Sequence, residues 1–214
     1  MAKCDKLINA CIQADCTNPV FTGVEQKAWI FNKADIEDFV YALTDPSDPD
    51  SDKIANKITE FQMVSGKKGY TVEQLGKTPY TGTTVELAEG TFGNTWTNTV
   101  QLLVPDNSIA ASKDILDQLG NGKFVVVLEN SYKGSDEESK FQVFGVKKGL
   151  TCSAMTNDKY SEDTLGGWQI TLTEEGAPNS AVFLYHTTTT TDGGQSVTVE
   201  DTKDYLNTTL TSCN

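Results

Sequence analysis

The sequence contains no arginine: its 17 basic residues are all lysine, against 30 acidic residues, and the formal net charge is -13. Arginine is the side chain best suited to two-pronged contacts with phosphates and base edges. A protein that binds nucleic acid also needs a positively charged surface. The missing arginine and the acidic balance therefore argue against nucleic-acid binding. Two interpretations of the charge remain: a soluble acidic surface, or an acidic surface or lumen that repels nucleic acid.

Histidine is scarce, and the cysteines lack the spacing of a zinc site. His186 is the only histidine, and no two cysteines are separated by two residues. A lone histidine supplies no catalytic triad, so we predict that His186 is structural rather than a general base. We predict no catalytic residue, no cofactor-binding residue and no metal ligand, hence no cofactor and no enzyme. The five cysteines are expected to be buried free thiols, and no pairing can be inferred for them: Cys4, Cys11, Cys16, Cys152 and Cys213.

Long apolar runs are missing as well. No stretch of about 18 apolar residues exists, so we expect no membrane span and no membrane partner. The first residues lead into no apolar core of the length that a signal peptide requires, which favours cytoplasmic synthesis, including synthesis by a virus inside its host. The 214 residues suffice for one large β domain with its own hydrophobic core.

Two segments carry only part of a ligand-binding motif. Residues 45–52 resemble the start of a calcium-binding EF-hand loop, but Lys53 stands at the required glycine and Thr59 at the bidentate glutamate. Residues 76–78 resemble the end of a P-loop, but the earlier glycine is missing and a strand follows instead of a helix. Both segments are predicted to be ordinary loops. Three tryptophans are candidates for a sugar-stacking platform, although core packing is the expected role: Trp29, Trp96 and Trp168.

Residues 96–130 carry the clearest pattern of secondary structure, a strand, a helix and a strand. Residues 97–104 are rich in apolar and β-branched side chains, and Pro105 ends that strand. A flanking α-helix is predicted at about 108–120, capped by Asp106, Asn107 or Ser108 and ended by Gly120 and Gly122 in a left-handed cap. Its buried face is predicted to hold four residues: Ile109, Ile115, Leu116 and Leu119.

The second strand of this unit, residues 124–128, consists of five consecutive apolar residues. Such a run is typical of a strand that is buried on both faces or that lies at a subunit contact. We expect it in the central sheet, with the domain core on one side and either the helix or a neighbouring subunit on the other.

Short alternating segments separated by turns make up most of the remaining chain. We predict a mainly β fold, a β-sandwich or barrel of about nine strands, with the helix at about 108–120 and a short C-terminal helix. In residues 141–146, Phe141, Val143 and Val146 share a face if Gly145 bends the strand. The other predicted strands are residues 27–32, 58–64, 70–75, 83–87, 150–155, 168–173, 181–186 and 196–199, and residues 187–191 are predicted to be a strand end and a turn.

The two ends of the chain are predicted to differ from the middle. Residues 1–23 form an N-terminal arm, residues 24–199 the β domain and residues 200–214 a C-terminal helical tail. The arm carries a short apolar stripe and is expected to lie in its own domain or on a neighbour. The C-terminal helix needs a docking partner, because isolated helices of this length are unstable. The stripe contains Leu7, Ile8, Cys11 and Ile12, and the apolar side of the C-terminal helix contains Tyr205, Leu206 and Leu210.

The order of several segments is similar to that of tail-tube-like virion proteins of phages and prophages of gut Bacteroidales, including the crAss-like phages. The resemblance covers residues 23–184 and rests on KAWIFNKADI, ASKDILDQLGNG, KFVVVLEN, FQVFGVKKGL and GGWQITLT. It implies a sheet-rich barrel with one flanking helix, whose subunits form rings around the DNA exit channel. It does not cover residues 44–52, the threonine run at residues 187–191 or the C-terminal helix.

The resemblance implies a non-enzymatic virion structural protein that forms a homo-oligomeric ring in the tail or head-to-tail region. Its partners would be copies of itself and other tail or portal-proximal virion proteins, and DNA would pass through without specific binding. An acidic, arginine-free wall suits DNA that must slide. The expected linking pieces are residues 1–23, residues 77–84 and the C-terminal segment. The alternative is a β-sandwich binding module, for capsid decoration or for a carbohydrate or host surface.

Overall fold

The computed structural model of the chain describes residues 22–91, 93–132, 137–192 and 195–212. About half of these residues lie in strands and far fewer in helices, which confirms the predicted mainly β class. A single turn of 3-10 helix, Lys33–Asp35, joins the first two strands. The strands are β1 Val24–Asn32, β2 Ile36–Leu43, β3 Lys53–Met63, β4 Tyr70–Glu73, β5 Thr84–Ala88, β6 Thr95–Val104, β7 Phe124–Asn130, β8 Phe141–Phe144, β9 Thr151–Asn157, β10 Trp168–Ala177, β11 Phe183–Leu184, β12 Thr187–Asp192 and β13 Gln195–Glu200.

Two sheets pack face to face as a β-sandwich. The larger sheet has seven strands in the order β2-β3-β11-β8-β7-β1-β4, and the smaller has four in the order β5-β6-β10-β9. The strands pair antiparallel except β11 with β3. Side chains from both sheets form what we call the inner core: Ala28, Ile30, Tyr80, Val100, Leu102, Leu116, Leu119, Phe124, Val126, Leu128, Phe144, Leu150, Ile170 and Leu172.

The far face of the seven-stranded sheet is also covered by apolar side chains. We call this second cluster the outer core, and the C-terminal helix closes it. Strand β7 contributes alternate residues to the two cores, as the period of a strand dictates, and its residues Phe124 to Leu128 are buried on both faces as predicted. The outer core contains Trp29, Phe31, Ile36, Phe39, Ile58, Phe61, Val125, Val127, Phe141, Val143, Val146, Val182, Leu184, Tyr205, Leu206 and Leu210.

The C-terminal helix comprises Thr202–Asp204 in α-helical geometry and Tyr205–Leu210 in π-helical geometry. Tyr205, Leu206 and Leu210 are buried, as the sequence predicts. The Tyr205 hydroxyl accepts a hydrogen bond from the Phe61 backbone N–H and donates to its carbonyl, both at 3.1 Å. The docking partner of this polar helix is therefore the seven-stranded sheet of its own chain.

The helix in the middle of the chain confirms the prediction at 108–120 but presents a different face. It comprises Ile109–Ala111 (α), Ser112–Leu116 (π) and Asp117–Asn121 (α). Ser108 caps it, its hydroxyl accepting from the Ala111 N–H at 3.1 Å. Because the π segment widens the turn, the buried residues are Ala111, Leu116 and Leu119. The prediction that Ile109 and Ile115 are buried is wrong, since both are exposed.

The glycines at the end of this helix also differ from expectation. Gly120 lies inside the last α segment, and Gly122 has an extended backbone (φ -90°, ψ 177°) rather than a left-handed one. Gly122 is required for space, because a Cβ atom there would lie 2.3 Å from the Phe124 ring. Gly145 does turn the chain as predicted, with φ +85°, and Phe141, Val143 and Val146 share the outer core.

Three segments near the sheet edges differ from the prediction. Strand β2, Ile36–Leu43, is absent from the predicted set. The strand predicted at residues 181–186 is reduced to Phe183–Leu184. The threonine run, predicted as a strand end and turn, is strand β12, which pairs with β13 as a separate two-stranded ribbon. No helix among the described residues has the length and apolar character needed to cross a membrane.

Candidate binding cleft at the loop end

Three loops gather at one end of the sandwich, which we call the loop end: residues 74–83, 105–109 and 158–167. Trp168 pairs with Val104 on one side and with Asn157 on the other, so β6, β9 and β10 reach this end together. Strand β5 pairs with β6 only as far as Thr99. The last residues of β6 therefore lie beyond β5, beside the first of the three loops.

A cleft of about 480 Å³ lies between these loops and the exposed edge of β6. Its two charged side chains, Lys77 and Asp163, have opposite signs, so the cleft carries no formal net charge on a protein of charge -13. Amides, hydroxyls and apolar groups supply the rest of the wall. The lining residues come from 74–81, 101–103 and 161–169.

Hydrogen bonds join the second and third loops. The Asn107 side-chain amide donates to the Gly166 carbonyl at 3.1 Å, and the Lys159 ammonium donates to the Asn107 side-chain carbonyl at 2.9 Å. The Asn157 amide donates to the carbonyls of Gly166 and Gly167 at 3.2 and 2.7 Å. These contacts hold one wall of the cleft in a defined shape.

Two polar side chains in the wall of the cleft are incompletely satisfied. Gln74 is buried, and its Oε1 accepts from the Tyr80 N–H at 2.9 Å, but its Nε2 has no hydrogen-bond partner among the described residues. The Thr164 hydroxyl is likewise buried without a partner there. They are the two such side-chain atoms in the described part of the chain, and both residues line the cleft. Leaving a buried donor unpaired costs about 1–3 kcal/mol, so this pair calls for partners from elsewhere.

Each of two cleft loops contains a residue in left-handed backbone conformation that is not glycine: Tyr80 (φ 58°) and Leu165 (φ 53°). Side chains with a Cβ disfavour this conformation by about 1–2 kcal/mol, and such residues collect at functional sites. Tyr80 is held by its hydroxyl, which lies 3.0 Å from the Gln26 carbonyl and 2.9 Å from the Val72 carbonyl. Burial, reinforced by the charge of Glu73, raises the pKa of Tyr80 well above its ordinary value, so the phenol stays a donor.

The loop end also carries the most exposed large apolar side chains of the described residues. Leu75 is 81% exposed, Ile109 88%, Tyr160 96% and Leu165 69%. Each belongs to one of the three loops or to the helix start that follows it. An apolar side chain that is exposed singly needs no explanation, but several around one cleft are typical of a protein contact site.

A second, much smaller cavity lies near Glu174, and it shows how the protein satisfies buried polar groups elsewhere. Glu174 is 2% exposed, and its carboxylate accepts from the Lys147 N–H at 3.1 Å, the Lys148 N–H at 2.7 Å and the Asn98 amide at 3.1 Å. Because a buried carboxylate with three donors is fully compensated, this cavity has the character of a structural site.

His186 lies at the base of the threonine ribbon, far in sequence from the cleft residues. Its Nδ1 lies 2.6 Å from Asp201, and its ring stacks on Tyr205 with centroids 3.9 Å apart. Burial pushes the pKa of Asp201 upward, but hydrogen bonds from Thr188 and His186 outweigh this, and the pKa lies below its ordinary value. These contacts give His186 a structural role, joining the ribbon to the C-terminal helix.

The tryptophans do not form a common platform. Trp29 is fully buried in the outer core, and its Nε1 donates to Asn207 at 3.1 Å. Trp96 and Trp168 are half-buried and lie at opposite ends of the β6–β10 pair. Trp96 pairs with Ala177, and Trp168 pairs with Val104, which is eight residues from Trp96 along β6. A sugar-stacking surface built from the three is therefore excluded.

The other motif-like segments have simple local structures. Asp45 accepts from the Ser47 hydroxyl and N–H, and Asp48 accepts from the Asp50 N–H, so their carboxylates cap the backbone of the loop. No three His, Cys, Asp or Glu side chains of the described residues are grouped as a metal site would require. Cys152 is a half-buried free thiol. The remaining predicted thiols, Cys4, Cys11, Cys16 and Cys213, lie outside the described residues, as does most of the predicted arm.

The fold and the cleft define a β-sandwich protein with an open site of no formal net charge at one end. Comparison with protein-family models, with curated proteins and with solved structures found no match to this chain. The argument for function therefore rests on the geometry and on the sequence. Of the cleft, only residues 77–84 were singled out from sequence, as a linking piece. Residues 158–167 were missed, although the apolar Tyr160 and Leu165 in an otherwise polar loop were a usable signal.

Proposed function

We propose that this chain is a non-enzymatic structural subunit that assembles with copies of itself into a ring through the loop end. The observation that supports the proposal most strongly is the coincidence of two features. The four most exposed large apolar side chains of the described residues belong to the three loops of the loop end, and both unpartnered buried side-chain atoms of the described residues belong to side chains that line the cleft there. A protein contact would bury the exposed apolar side chains and supply hydrogen-bond partners to the two polar atoms.

The physical gain from such a contact is large on the scale of protein stability. Burying apolar surface contributes about 25 cal/mol per Å², and leucine, isoleucine and tyrosine side chains supply most of the apolar rim. The cleft does not resemble a self-complementary patch, because a recess must receive a protrusion. A recess on one copy that receives a different surface of the next copy is a heterologous contact, and such contacts form a ring when the rotation from copy to copy closes.

We further propose that the ring lies in a phage virion, in the tail or head-to-tail region around the DNA channel. The support is the order of segments shared with tail-tube-like virion proteins and the charge of -13 without arginine. An acidic wall gives DNA phosphates no binding site, so DNA passes without specific binding. The partners are other copies of the chain and neighbouring tail or portal-proximal proteins, and assembly takes place in the cytoplasm of the bacterial host.

The mass of the purified full-length protein tests this proposal. Light scattering across a tenfold concentration range is expected to give a multiple of 23.3 kDa, and negative-stain images are expected to show rings. Mass spectrometry of virions from the source phage or prophage is expected to detect the chain. A monomer at the highest concentration, absent from virions, would overturn the proposal.

A second candidate function is a β-sandwich binding module for a carbohydrate or host surface. It is favoured by the amides and hydroxyls in the cleft wall, which suit sugar hydroxyls, among them Gln74, Gln101, Gln169 and Thr78. Titration calorimetry with glycan pools distinguishes the two candidates. Saturable sugar binding that Gln101→Ala abolishes in a monomeric protein supports the module, and an assembled protein without sugar binding supports the ring.

A further inference from the structure

We propose that residues 1–21 of one subunit occupy the cleft at the loop end of the neighbouring subunit. This inference rests on the proposed ring and names the surface that enters the recess. The cleft, the apolar rim and the two unpartnered polar atoms define the chemistry of the occupant. The length, composition and attachment point of the N-terminal segment identify the segment of the chain that matches it.

The cleft needs an occupant that is apolar, rich in hydrogen-bonding groups and without net charge. Leu75 in the cleft wall and Leu165, next to Thr164 in the chain, are exposed and call for apolar partners. Gln74 Nε2 is a donor that needs an acceptor. The Thr164 hydroxyl can pair with either a donor or an acceptor. A peptide segment offers all of these, because every residue carries a backbone carbonyl and N–H. Lys77 and Asp163 cancel, so a charged occupant has no advantage.

The composition of residues 1–21 matches these requirements. They contain two lysines and two aspartates, so the segment is neutral whereas the remaining chain carries the whole charge of -13. Their apolar residues include the stripe Leu7, Ile8, Cys11 and Ile12. A neutral segment approaches an acidic neighbour without the repulsion that an acidic surface would meet.

The described chain begins at the same end of the molecule as the cleft. Strands β1 and β4 run antiparallel with Lys27 opposite Glu73. Beyond that pair the Gln74 N–H donates to the Gln26 carbonyl at 3.0 Å, and the Gln26 amide donates to the Gly76 carbonyl at 3.3 Å. Gln26 therefore lies beside Gly76, which lines the cleft. The described chain begins only four residues earlier, and the Gly23 carbonyl accepts from the Ser131 N–H at 3.0 Å.

The segment is long enough to reach a neighbouring copy. Fully extended, 21 residues span up to about 70 Å, and a compact domain of this size has a radius of gyration of about 17 Å. An arm that enters the next subunit's cleft buries its apolar stripe between copies and is a heterologous contact. An arm that folded into its own cleft would fill the recess without linking anything. The exchanged arrangement is therefore the one that serves a ring.

Disulfide trapping in the full-length protein tests the inference, because the segment already carries three thiols. Leu75→Cys introduces a thiol at an 81% exposed rim position, where it does not disturb the core. Leu87→Cys is the matched control: Leu87 is also exposed but pairs with Trp96, at the opposite end of β6 from the cleft. Both variants are oxidised with diamide and analysed on non-reducing gels, and the bonds are identified by mass spectrometry.

The expected result is a ladder of disulfide-linked dimers and larger species in Leu75→Cys, with residue 75 bonded to Cys4, Cys11 or Cys16 of another copy. The ladder should be at least several-fold stronger than in Leu87→Cys, and it should vanish when the three native cysteines are replaced by serine. A bond from residue 75 to the arm within one chain would overturn the exchange, and so would an unlinked product.

Light scattering of the wild-type protein distinguishes a failure of this inference from a failure of the proposed ring. If light scattering shows that the wild-type protein is assembled but residue 75 does not bond to a neighbouring arm, only the inference fails. If the wild-type protein is a monomer, the proposed function fails as well.

Discussion

The covered face of the seven-stranded sheet and the loop end form a contrast within one chain. On the covered face, the C-terminal helix buries Leu206 completely, and the hydroxyl of Tyr205 bonds to both backbone groups of Phe61. The loop end leaves Gln74 Nε2 and the Thr164 hydroxyl without partners among the described residues and exposes Leu75. The described residues satisfy the polar groups of one region and leave those of the other incomplete.

The contrast separates the part of the described structure that is complete from the surface that we propose for assembly. The covered face and the inner core together form what we call the closed region. There, every buried side-chain nitrogen or oxygen of the described residues has a hydrogen-bond partner, as the interior of a native protein requires. In the loop end, two buried side-chain groups have no partner among the described residues, and Tyr80 and Leu165 have a disfavoured backbone conformation. Strained residues of this kind cluster at functional sites.

The largest effect is expected from Val126→Asp, in the centre of the closed region. Val126 is fully buried in the inner core on β7, and a carboxylate there has no partner. Such a burial costs more than the whole stability of a typical domain can absorb, so the variant should fail to fold or assemble. Circular dichroism and solubility measure this. Val199→Asp, at a half-exposed position of the ribbon, is the control, and normal folding of Val126→Asp would disprove the placement of the core.

Leu206→Ala should lower the free energy of unfolding by about 2–5 kcal/mol, the range for deleting a buried leucine side chain. The reason is that Leu206 is fully buried between the C-terminal helix and the sheet. Chemical denaturation measures the loss, and Thr209→Ala, at an exposed position of the same helix, should change little. If the two variants were equally stable, the C-terminal helix would not belong to the closed region.

A pair of threonine substitutions compares the two regions directly. The Thr202 hydroxyl is buried and accepts from the His186 N–H at 2.8 Å, whereas the Thr164 hydroxyl has no partner among the described residues. Thr202→Val should therefore cost about 1–3 kcal/mol, and Thr164→Val should be close to neutral or stabilising. Denaturation of both variants under conditions that keep the protein monomeric gives the two values. Equal losses would show that the Thr164 hydroxyl is satisfied after all.

A smaller effect is expected from Tyr205→Phe, about 1 kcal/mol near neutral pH. Burial raises the pKa of Tyr205 to about 12, against an ordinary value near 10. Between these values the unfolded chain releases the proton and the folded chain keeps it, so this group's stabilisation is present below pH 10 and declines towards pH 12. The difference in stability between wild type and Tyr205→Phe should shrink over that window. A constant difference would contradict the burial of the phenol.

Much of the closed region could be predicted from the sequence. Periodicity located both faces of β7 and the face of β10, because side-chain alternation in a strand depends only on local order. Strand β2 was not predicted because its buried residues do not alternate. Its register against β3 shifts three times, so the buried Ile36 and Phe39 lie three residues apart rather than the two or four of a regular strand. The mid-chain helix lies where it was predicted, but its buried face differs from the predicted one. The reason is that the π segment spaces the buried residues Ala111 and Leu116 five residues apart.

The loop end could not be predicted to the same degree. Gln74 and Thr164 lie ninety residues apart, and only the packed sheets bring their loops to one cleft. Whether a glutamine amide finds a partner depends on that long-range packing and leaves no trace in local composition. The apolar residues within the two loops were the available signal, but a single exposed leucine is common on protein surfaces.

The mass of Leu75→Glu, compared with that of Leu87→Glu, tests the central claim that another copy completes the loop end. Both positions are exposed, so neither substitution should change the stability of the fold by more than about 0.5 kcal/mol. Light scattering is expected to show that Leu87→Glu keeps the assembled mass of the wild type and that Leu75→Glu falls to the 23.3 kDa monomer. An assembly that survives Leu75→Glu unchanged would contradict the claim.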